Sequence, residues 1–551
     1  MDIRPSPYYL KACPLCGGSS LPNQFVSRDL HVARCQDCSL LMLNPQPSDE
    51  TLAKIYSSNY FSFGEGGLET EMRYSEMKRA TARLYLEHLG PYLGAQRGQL
   101  LEVGCGHGYF LLEARSMGFT VTGVDVSPEA TEVARSKLGN GSILCGTVDH
   151  LDLRSQWFDI CVLSDVIEHT RDPVSFLGTI HQWLKPSGVL FIATPSLDSV
   201  YARLLKQNWM EFKLEHMFYF SRETIQHLLF KTGYHQVVVR SGKKVLNSQY
   251  IYQHFERFPV PGLTPLVRWV DHLMPQALRS RAVNIPTGGM LVMARTRPVA
   301  QRRKLSVIVP AYNEKATFRT LMDSLLQKEM DGLDMEIIVV ESNSTDGTHE
   351  EAFHYQTHPR VKVVFEERPR GKGRAVRTGF EHMTGDFVLI QDADLEYDLD
   401  DYDSLLRPLM RCSRAFVLGS RHIEGNTHTI RQFEHQPVLE VFLNFGHSLF
   451  LHLFNLIYAQ RLKDPFTMYK VFRRDCLYDL TFECNRFDFD YELVIKLIRK
   501  GYVPVEIPVT YRSRSFKQGK KVSVLKDPPT WIWALIKFRF RPLYSFRNRD
   551  S

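Results

Sequence analysis

The sequence predicts an α/β protein, with two parallel-sheet domains in tandem behind a small cysteine-rich module. Three observations carry this reading. An apolar, strand-like run at Gln99–Val103 leads directly into the glycine-rich turn G-C-G-H-G, residues 104–108. About two hundred residues later the run LSVIV leads into Pro310-Ala-Tyr-Asn-Glu314, and its domain reaches an acidic centre at QDADLEYD, residues 391–398. Ahead of both, Cys13, Cys16, Cys35 and Cys38 form two C-x₂-C pairs separated by eighteen residues. At 551 residues the chain is long enough for several cores of roughly 100–200 residues each. A hydrophobic content of 44% is ordinary for a globular protein, and a mean hydropathy of −0.23 argues against a polytopic membrane protein. The start, MDIRPSPYYLKACPLC, lacks the basic and apolar regions of a signal peptide. The net charge of +7 suits anionic ligands, an acidic membrane surface or a solvated basic face. No nucleic-acid-binding motif, low-complexity tract or short repeat occurs.

The cysteine spacing is that of a four-thiolate ribbon. Two tight knuckles present sulfurs tetrahedrally, and a structural zinc ion replaces a core too small to stand alone. Two disulfides are the alternative, which an intracellular chain disfavours. A reducing, cytoplasmic setting follows from the zinc reading. Several of the other six cysteines lie in apolar runs, where a thiol acts as a small hydrophobe.

The first glycine turn departs from the dinucleotide pattern. Its third glycine falls at the fifth position rather than the sixth, and Glu102 stands two residues before the first. Gly104, Gly106 and Gly108 let the backbone turn tightly beneath a ligand, and a helix starts at Phe110. A second strand over 119–124 ends at Asp125, placed to accept hydrogen bonds from ribose hydroxyls. These features resemble the class I S-adenosylmethionine-dependent methyltransferases, as do FDICVLSDVIEHTRDP (158–173) and LKPSGVLFIATPS (184–196). The cysteine module followed by LLMLNPQPSDETLAKIY resembles the N-terminal part of one methyltransferase subgroup. The resemblance implies a Rossmann-like domain that binds S-adenosylmethionine. Glu102, Gly104 and Gly106 would flank the methionine, Asp125 would hold the ribose, and Val148 and Asp149 would lie near the adenine. His169, next to Glu168 after the fourth strand, is the candidate base for methyl transfer to oxygen. His216, in the aromatic and charged segment Trp209–Ser221, is its rival; that segment reads as a lid or acceptor wall.

The second domain starts after a short basic stretch. VNIPTGGMLVMARTRPVAQRRK (283–304) finishes a sheet-edge strand and passes into a basic stretch, with 298–304 as a linker short enough to raise the local concentration of a shared intermediate. MEIIVVESNSTDGT (335–348) is a second strand with a polar end, and RPRGKGRAVRTGF (368–380) combines glycines with cations able to approach a diphosphate. Strand alternation would put Asp392 and Asp394 on one side, sharing a hard cation with diphosphate oxygens. The set resembles family 2 glycosyltransferases of the GT-A fold, including the dolichol-phosphate mannose synthase-like branch, and extends through VLGSRH, KDPFTMYKVFRRD and FDFDYELVIKLIRKGYVPVEIPVTYRSRSFKQGKK. The resemblance implies a nucleotide-sugar donor and a single inverting displacement. Pro310, Tyr312 and Glu314, with Glu341–Ser342, would cradle the nucleoside. Asp392 and Asp394 would bind Mg²⁺ or Mn²⁺, and Lys372, Arg512, Arg514, Lys520 and Lys521 would neutralise phosphates. Many relatives carry Asp-Asp where this chain has Glu341-Ser342, which leaves uridine against guanosine open. A polyprenyl-phosphate acceptor needs no base; a sugar hydroxyl needs one, for which Asp464, Asp488 and Asp490 are candidates. FDFDYEL also reads as a helix start whose acidic residues complement the dipole.

The expected organisation is a zinc ribbon over 1–60, a methyltransferase domain over 61–297, the linker, a glycosyltransferase domain over 305–527, and a basic aromatic helix over 528–551. Val438–Leu462 is apolar but carries Glu440 and several histidines and asparagines, so a packed or interfacial helix is expected rather than a membrane span. The last segment has the composition either of a helix lying on a bilayer surface, peripheral to the inner face of the cytoplasmic membrane, or of one docked on its own domain. The leading expectation is a bifunctional enzyme that transfers a sugar and methylates a glycan or lipid-linked product. The rivals are a methyltransferase half that only binds or recruits, and two halves acting on unrelated substrates.

Overall fold

Strands buried on both faces need near-continuous apolar runs, and the first large sheet is built from such runs. Its order is Tyr234–Leu246, Val283–Thr296, Leu184–Pro195, Phe158–Ser164, Gln99–Val103, Thr120–Asp125, Ile143–Cys145. The last five strands are parallel, and Val283–Thr296 runs antiparallel to both of its neighbours. This is the Rossmann-like arrangement expected, in a computed structural model that describes residues 7–56, 68–93, 97–139, 142–279, 281–297, 303–421, 437–512 and 527–543. One expectation is corrected. Val283–Thr296 is not an edge strand, because it pairs with a neighbour on each side and leaves the edge to Tyr234–Leu246. Its run Met290–Ala294 is buried throughout, as an interior position demands.

Helix starts follow the local chemistry. The Ser127 hydroxyl accepts from Ala130 N at 3.2 Å, and Asp172 accepts from Val174 N and Ser175 N at 3.0 Å each. Each such cap is worth about 1 kcal/mol. Both helices also carry proline in the first turn, where a missing N–H costs nothing.

The cysteine module does not stand apart. Its strands Asn23–Ser27, Leu30–Arg34 and Leu41–Leu43 gain a fourth, Phe218–Tyr219, from the methyltransferase-like region, with Leu41 opposite Tyr219 and Met42 opposite Phe218. Trp209, Phe212 and Tyr219 pack with Val32 and Leu43 in one cluster, so the aromatic segment is clamped by the ribbon.

The chain divides into two units, Met1–Val299 and Ala300–Asp550. The second holds a sheet ordered Val361–Phe365, Leu333–Glu341, Arg303–Ala311, Phe387–Ile390, Lys470–Arg473, Phe416–Ser420, Val505–Pro508. The first four strands are parallel to one another; Lys470–Arg473 runs antiparallel to both of its neighbours. The apolar helix Pro437–Tyr458 packs Phe450, Phe454 and Tyr458 into the core of this unit. Among the described residues no helix is long and apolar enough to cross a membrane. The C-terminal helix Asp527–Phe540 docks on its own unit: Ala534, Leu535 and Phe538 are buried, and the Tyr458 hydroxyl donates to Leu535 O at 2.6 Å. Its other face leaves Ile532, Trp533, Ile536 and Phe540 exposed.

Candidate active sites

The four cysteine sulfurs come together as their spacing predicts. Cys13 and Cys38 sulfurs lie 3.5 Å apart, as do those of Cys16 and Cys35, and all four fall within 4.8 Å of one another. None is in a disulfide. Four thiolates about 2.3 Å from a zinc ion would stand about 3.8 Å apart at tetrahedral corners, so the sulfur set fits such an ion.

In the first unit a cavity of about 1000 Å³ opens at the carboxyl ends of the parallel strands. Glu102, Gly104, Gly106, Asp125, Val148, Asp149, His169 and His216 all line it. Gly108 does not; it adopts a left-handed conformation (φ 75°) at the start of helix Tyr109–Ser116, against Ala134 and Leu138. A side chain at Gly104 (φ 74°) would strike Val166 at 2.4 Å, so this turn needs glycine for space as well as for conformation. Asp125 accepts from Gly106 N at 2.7 Å and Ser127 N at 3.0 Å, which locks the acid to the turn. A carboxylate has about four acceptor sites, so hydroxyls can still reach it. Burial first of all, with nearby Asp125, pushes the Glu102 carboxyl well above its usual range, and its Oε2 has no hydrogen-bond partner. A buried, orphaned acid at the head of the turn fits a ligand that brings an ammonium group, as S-adenosylmethionine does.

Opposite the turn, the Tyr56 hydroxyl and His169 Nδ1 are 2.8 Å apart, and the His169 and His216 rings meet edge to face at 4.7 Å. Burial lowers the His169 pKa to about 4 and holds His216 well below the usual range, so both imidazoles are neutral at pH 7. His216 Nδ1 donates to Glu211 O at 2.9 Å. Burial opposes ionisation of Glu211, but Lys213, 2.9 Å away, outweighs it and the carboxyl is held at about 2. Asp165 pairs with Lys244 at 2.6 Å across the same cavity. Sequence reasoning missed Tyr56, Lys78, Asp165, Lys244 and Tyr250, all of which line this cavity. Asp165 and Tyr56 lie within stretches that carry the methyltransferase resemblance, but nothing local singled them out; Lys78, Lys244 and Tyr250 come from other segments and meet them only in the fold.

In the second unit the acidic centre lies past the end of its strand, which stops at Ile390. Strand alternation therefore does not set the directions of Asp392 and Asp394; a turn with Leu395 in a left-handed conformation (φ 59°) does. The turn is pinned from below. Tyr402 and Tyr469 hydroxyls donate to Gln391 Oε1 at 3.0 and 2.8 Å, and Thr317 Oγ1 donates to Ala393 O at 2.6 Å. Lys372 forms an ion pair with Asp392. Burial weighs against its charge, but Asp392, Asp490 and Asp394 together hold its pKa above the ordinary range.

Two loops beside this centre are stitched together. Asn313 N donates to Ser344 Oγ at 2.9 Å, Thr345 N to Asn313 Oδ1 at 2.8 Å, and Glu314 N to Thr348 Oγ1 at 2.9 Å. Pro310 is the last residue but one of the strand below them, and Tyr312 is exposed on the first loop. Glu341 is fully buried and closes its own loop, accepting from Ser344 N at 2.7 Å and Asn343 N at 3.2 Å, with His349 Nδ1 2.7 Å away. Ser342 Oγ donates to Glu366 at 2.7 Å.

The three candidate bases separate. Asp464 is fully buried and bidentate with Arg421 at 2.8 Å. Asp488 sits in the first turn of helix Asp488–Lys500 and accepts from Arg486 N at 3.0 Å, the helix-start role. Asp490 faces inward, 3.0 Å from Lys470 and in the field of Lys372. Arg512 is exposed beside a cavity of about 530 Å³ that Lys328, Glu396 and Asp398 also line. Arg514, Lys520 and Lys521 lie outside the described residues.

Comparison with known proteins agrees with both geometries. The sequence model described as methyltransferase domain matches residues 72–238, and that of glycosyl transferase family 2 matches 306–480. A dolichol-phosphate mannosyltransferase of Pyrococcus furiosus is 28% identical over 217 residues, 39% of this chain and 59% of that protein. A dolichyl-phosphate beta-glucosyltransferase of Saccharomyces cerevisiae is 26% identical over 244 residues, 40% of this chain and 70% of the relative. The chain thus spans less than two thirds, 59%, of the length of the first of these relatives. Among solved structures, a Thermotoga maritima S-adenosylmethionine-dependent methyltransferase is 19% identical, with 42% of this chain and 96% of that one covered and a TM-score of 0.29. Glucosyl-3-phosphoglycerate synthase of Mycobacterium tuberculosis is 22% identical, with 44% and 81% covered and a TM-score of 0.33. By these sequence matches the chain carries a methyltransferase domain followed by a family 2 glycosyltransferase domain.

Proposed function

We propose that the chain is a bifunctional transferase of glycan or cell-surface polysaccharide biosynthesis, acting at the inner face of the cytoplasmic membrane. One domain moves a methyl group from S-adenosylmethionine to a glycan or lipid-linked sugar. The other moves a sugar from a nucleotide donor, with inversion, to a polyprenyl phosphate or a sugar hydroxyl. The observation that supports it best is that each domain gathers fitting groups beyond its strand ends. Asp125 is locked to the glycine turn in one, and the Lys372–Asp392 pair lies beside Asp394 in the other.

In the methyltransferase cleft, Asp125 would hold the ribose hydroxyls and Glu102 the methionine end, while His169 and His216 face the acceptor. S-Adenosylmethionine supplies an activated methyl group when bound. In the glycosyltransferase cleft, the 310–314 and 341–348 loops would hold the nucleoside. Asp392 and Asp394 would hold Mg²⁺ or Mn²⁺, since hard carboxylate oxygens suit those ions. The ion and Lys372 would stabilise the leaving diphosphate. If the acceptor is a hydroxyl, Asp490 is the better-placed base. The relatives' names support a polyprenyl phosphate, which arrives ionised. The exposed Ile532, Trp533, Ile536 and Phe540 would meet the lipid surface carrying such an acceptor. The ribbon zinc is structural, since all four of its ligands are protein thiolates.

The test is to incubate the full chain with S-adenosylmethionine, a set of nucleotide sugars and candidate acceptors. S-Adenosylhomocysteine and nucleoside diphosphate are then measured separately. Release of both, with Asp125→Ala and Asp394→Ala each leaving a different intermediate, fits the proposal. A folded chain that releases only one of them sinks the bifunctional reading.

A further inference from the structure

Glu168, His169 and His216 form a second metal-competent group in the first unit. One carboxylate oxygen and one ring nitrogen from each histidine fall within 4.8 Å of one another. We infer that these three side chains bind a divalent transition-metal cation inside the methyltransferase cavity, and that this cation receives the acceptor hydroxyl. The inference rests on the methyltransferase reading for its chemistry, but not for the ion itself.

Four observations point the same way. The donor set, two imidazoles and one carboxylate, is the three-ligand pattern of metal sites that keep open positions for water or substrate. Glu168 is 2% exposed; its Oε2 accepts from Thr194 Oγ1 at 2.9 Å, while its buried Oε1 has no hydrogen-bond partner. An unpartnered carboxylate oxygen away from water is costly unless a cation or donor meets it. His216 donates through Nδ1 to Glu211 O at 2.9 Å, so its lone pair lies on Nε2. A backbone carbonyl on the far ring nitrogen is how metal-bound histidines are commonly oriented. Finally, the Tyr56 hydroxyl at 2.8 Å fixes the His169 ring, and Met217 N donates to Glu168 O at 2.8 Å. That bond fastens the segment carrying His216, just before strand Phe218–Tyr219, to the turn carrying the other two.

The position gives the ion a task. The same cavity is lined by Glu102, Gly106 and Asp125, so the ion and the methyl donor would share one chamber. An acceptor hydroxyl bound to the cation loses its proton more readily. In the transfer the oxygen lone pair attacks the methyl carbon and the C–S bond breaks with its electrons passing to sulfur. The hydroxyl proton leaves to water. The products are the methyl ether, S-adenosylhomocysteine and a proton. Three protein ligands leave room for two oxygens, so the site favours an acceptor with neighbouring hydroxyls, such as a sugar diol. His169 then serves as a ligand rather than a free base.

The test uses the full, zinc-loaded chain carrying Asp392→Asn and Asp394→Asn, which removes the carboxylate pair of the other domain. Mn²⁺ is titrated and followed by electron paramagnetic resonance, with Co²⁺ absorption as a second probe. S-Adenosylmethionine binding by calorimetry reports separately on fold and on the methyltransferase reading. One bound ion per chain is expected, weakened at least tenfold by His216→Ala and also by Glu168→Gln, with cofactor binding retained. No bound ion beyond the ribbon zinc, or binding indifferent to both substitutions, overturns the inference. Loss of cofactor binding in the unsubstituted chain defeats the methyltransferase reading instead and leaves the ion count to stand or fall by itself.

Discussion

The two clefts solve the same problem, holding charged groups ready for a ligand, by opposite means. Around the glycine turn and the histidines of the methyltransferase cavity burial dominates: Glu102 and Glu168 are pushed up, the latter to about 8, and His169 and His216 are kept neutral, while Asp165–Lys244 and Glu211–Lys213 stand as ion pairs in its wall. In the glycosyltransferase cleft ion pairing dominates. Lys372 sits on Asp392, Arg421 on Asp464 and Lys470 on Asp490, so acids and bases stay close to their partners. A buried acid with an open oxygen, as at Glu102, can receive the cationic end of a cofactor, whereas a paired ionic site is ready for a diphosphate and its counter-ion.

The sharpest way to break this comparison is Asp392→Asn. Removing the acid that pairs with Lys372 should lower glycosyl transfer by about 10²–10³-fold, on the scale of losing one electrostatic stabiliser. S-Adenosylmethionine affinity should be unchanged, as calorimetry on the same preparation can show. Asp125→Ala comes next: loss of the acid locked to Gly106 should weaken S-adenosylmethionine binding by about 10–100-fold, roughly 1.4–2.8 kcal/mol. Nucleoside diphosphate release should continue. If either change damages both activities equally, the two clefts are not separable.

The candidate bases allow a finer cut. Asp490→Asn removes a carboxylate from beside Lys470 and should cost activity and about 3 kcal/mol of stability, because it strands a buried ammonium. Asp488→Asn should cost only about 0.5–1 kcal/mol in thermal unfolding, with glycosyl transfer near normal. Equal losses would contradict the assignment of Asp488 to the helix start. The smallest effect concerns acid. Burial opposes ionisation of Glu336, but bonds from Lys304, Ser306 and Thr384 lower its pKa from 4.5 to about 2. A depressed carboxyl stabilises fully above pH 4.5 and loses that contribution as pH falls towards 2. Glu336→Gln should flatten the acid dependence of unfolding in that window; the Glu336 carboxylate keeps some contact with solvent, so the gain at neutral pH is modest.

Much of this was legible in the chain. The fifth-position glycine, Asp125 and the cysteine spacing are local patterns, and the parallel strands read as continuous apolar runs. Others were not. The role of strand 283–296 depends on which strands flank it. Likewise Asp392 and Asp394 owe their directions to a turn pinned by Tyr402, Tyr469 and Thr317, which come from separate elements.

The sequence by itself determined the two α/β domains, their order, the thiolate set and the residues at each strand end. Those are short-range matters of spacing and periodicity, written within a few residues. Only the tertiary structure decided which distant side chains meet. His169 and His216 are forty-seven positions apart, and they touch because Leu41–Leu43 of the ribbon pairs with Phe218–Tyr219 and draws His216 against the turn at Glu168. Pairing between strands so far apart in sequence is set by the packing of whole faces, and no local pattern encodes it.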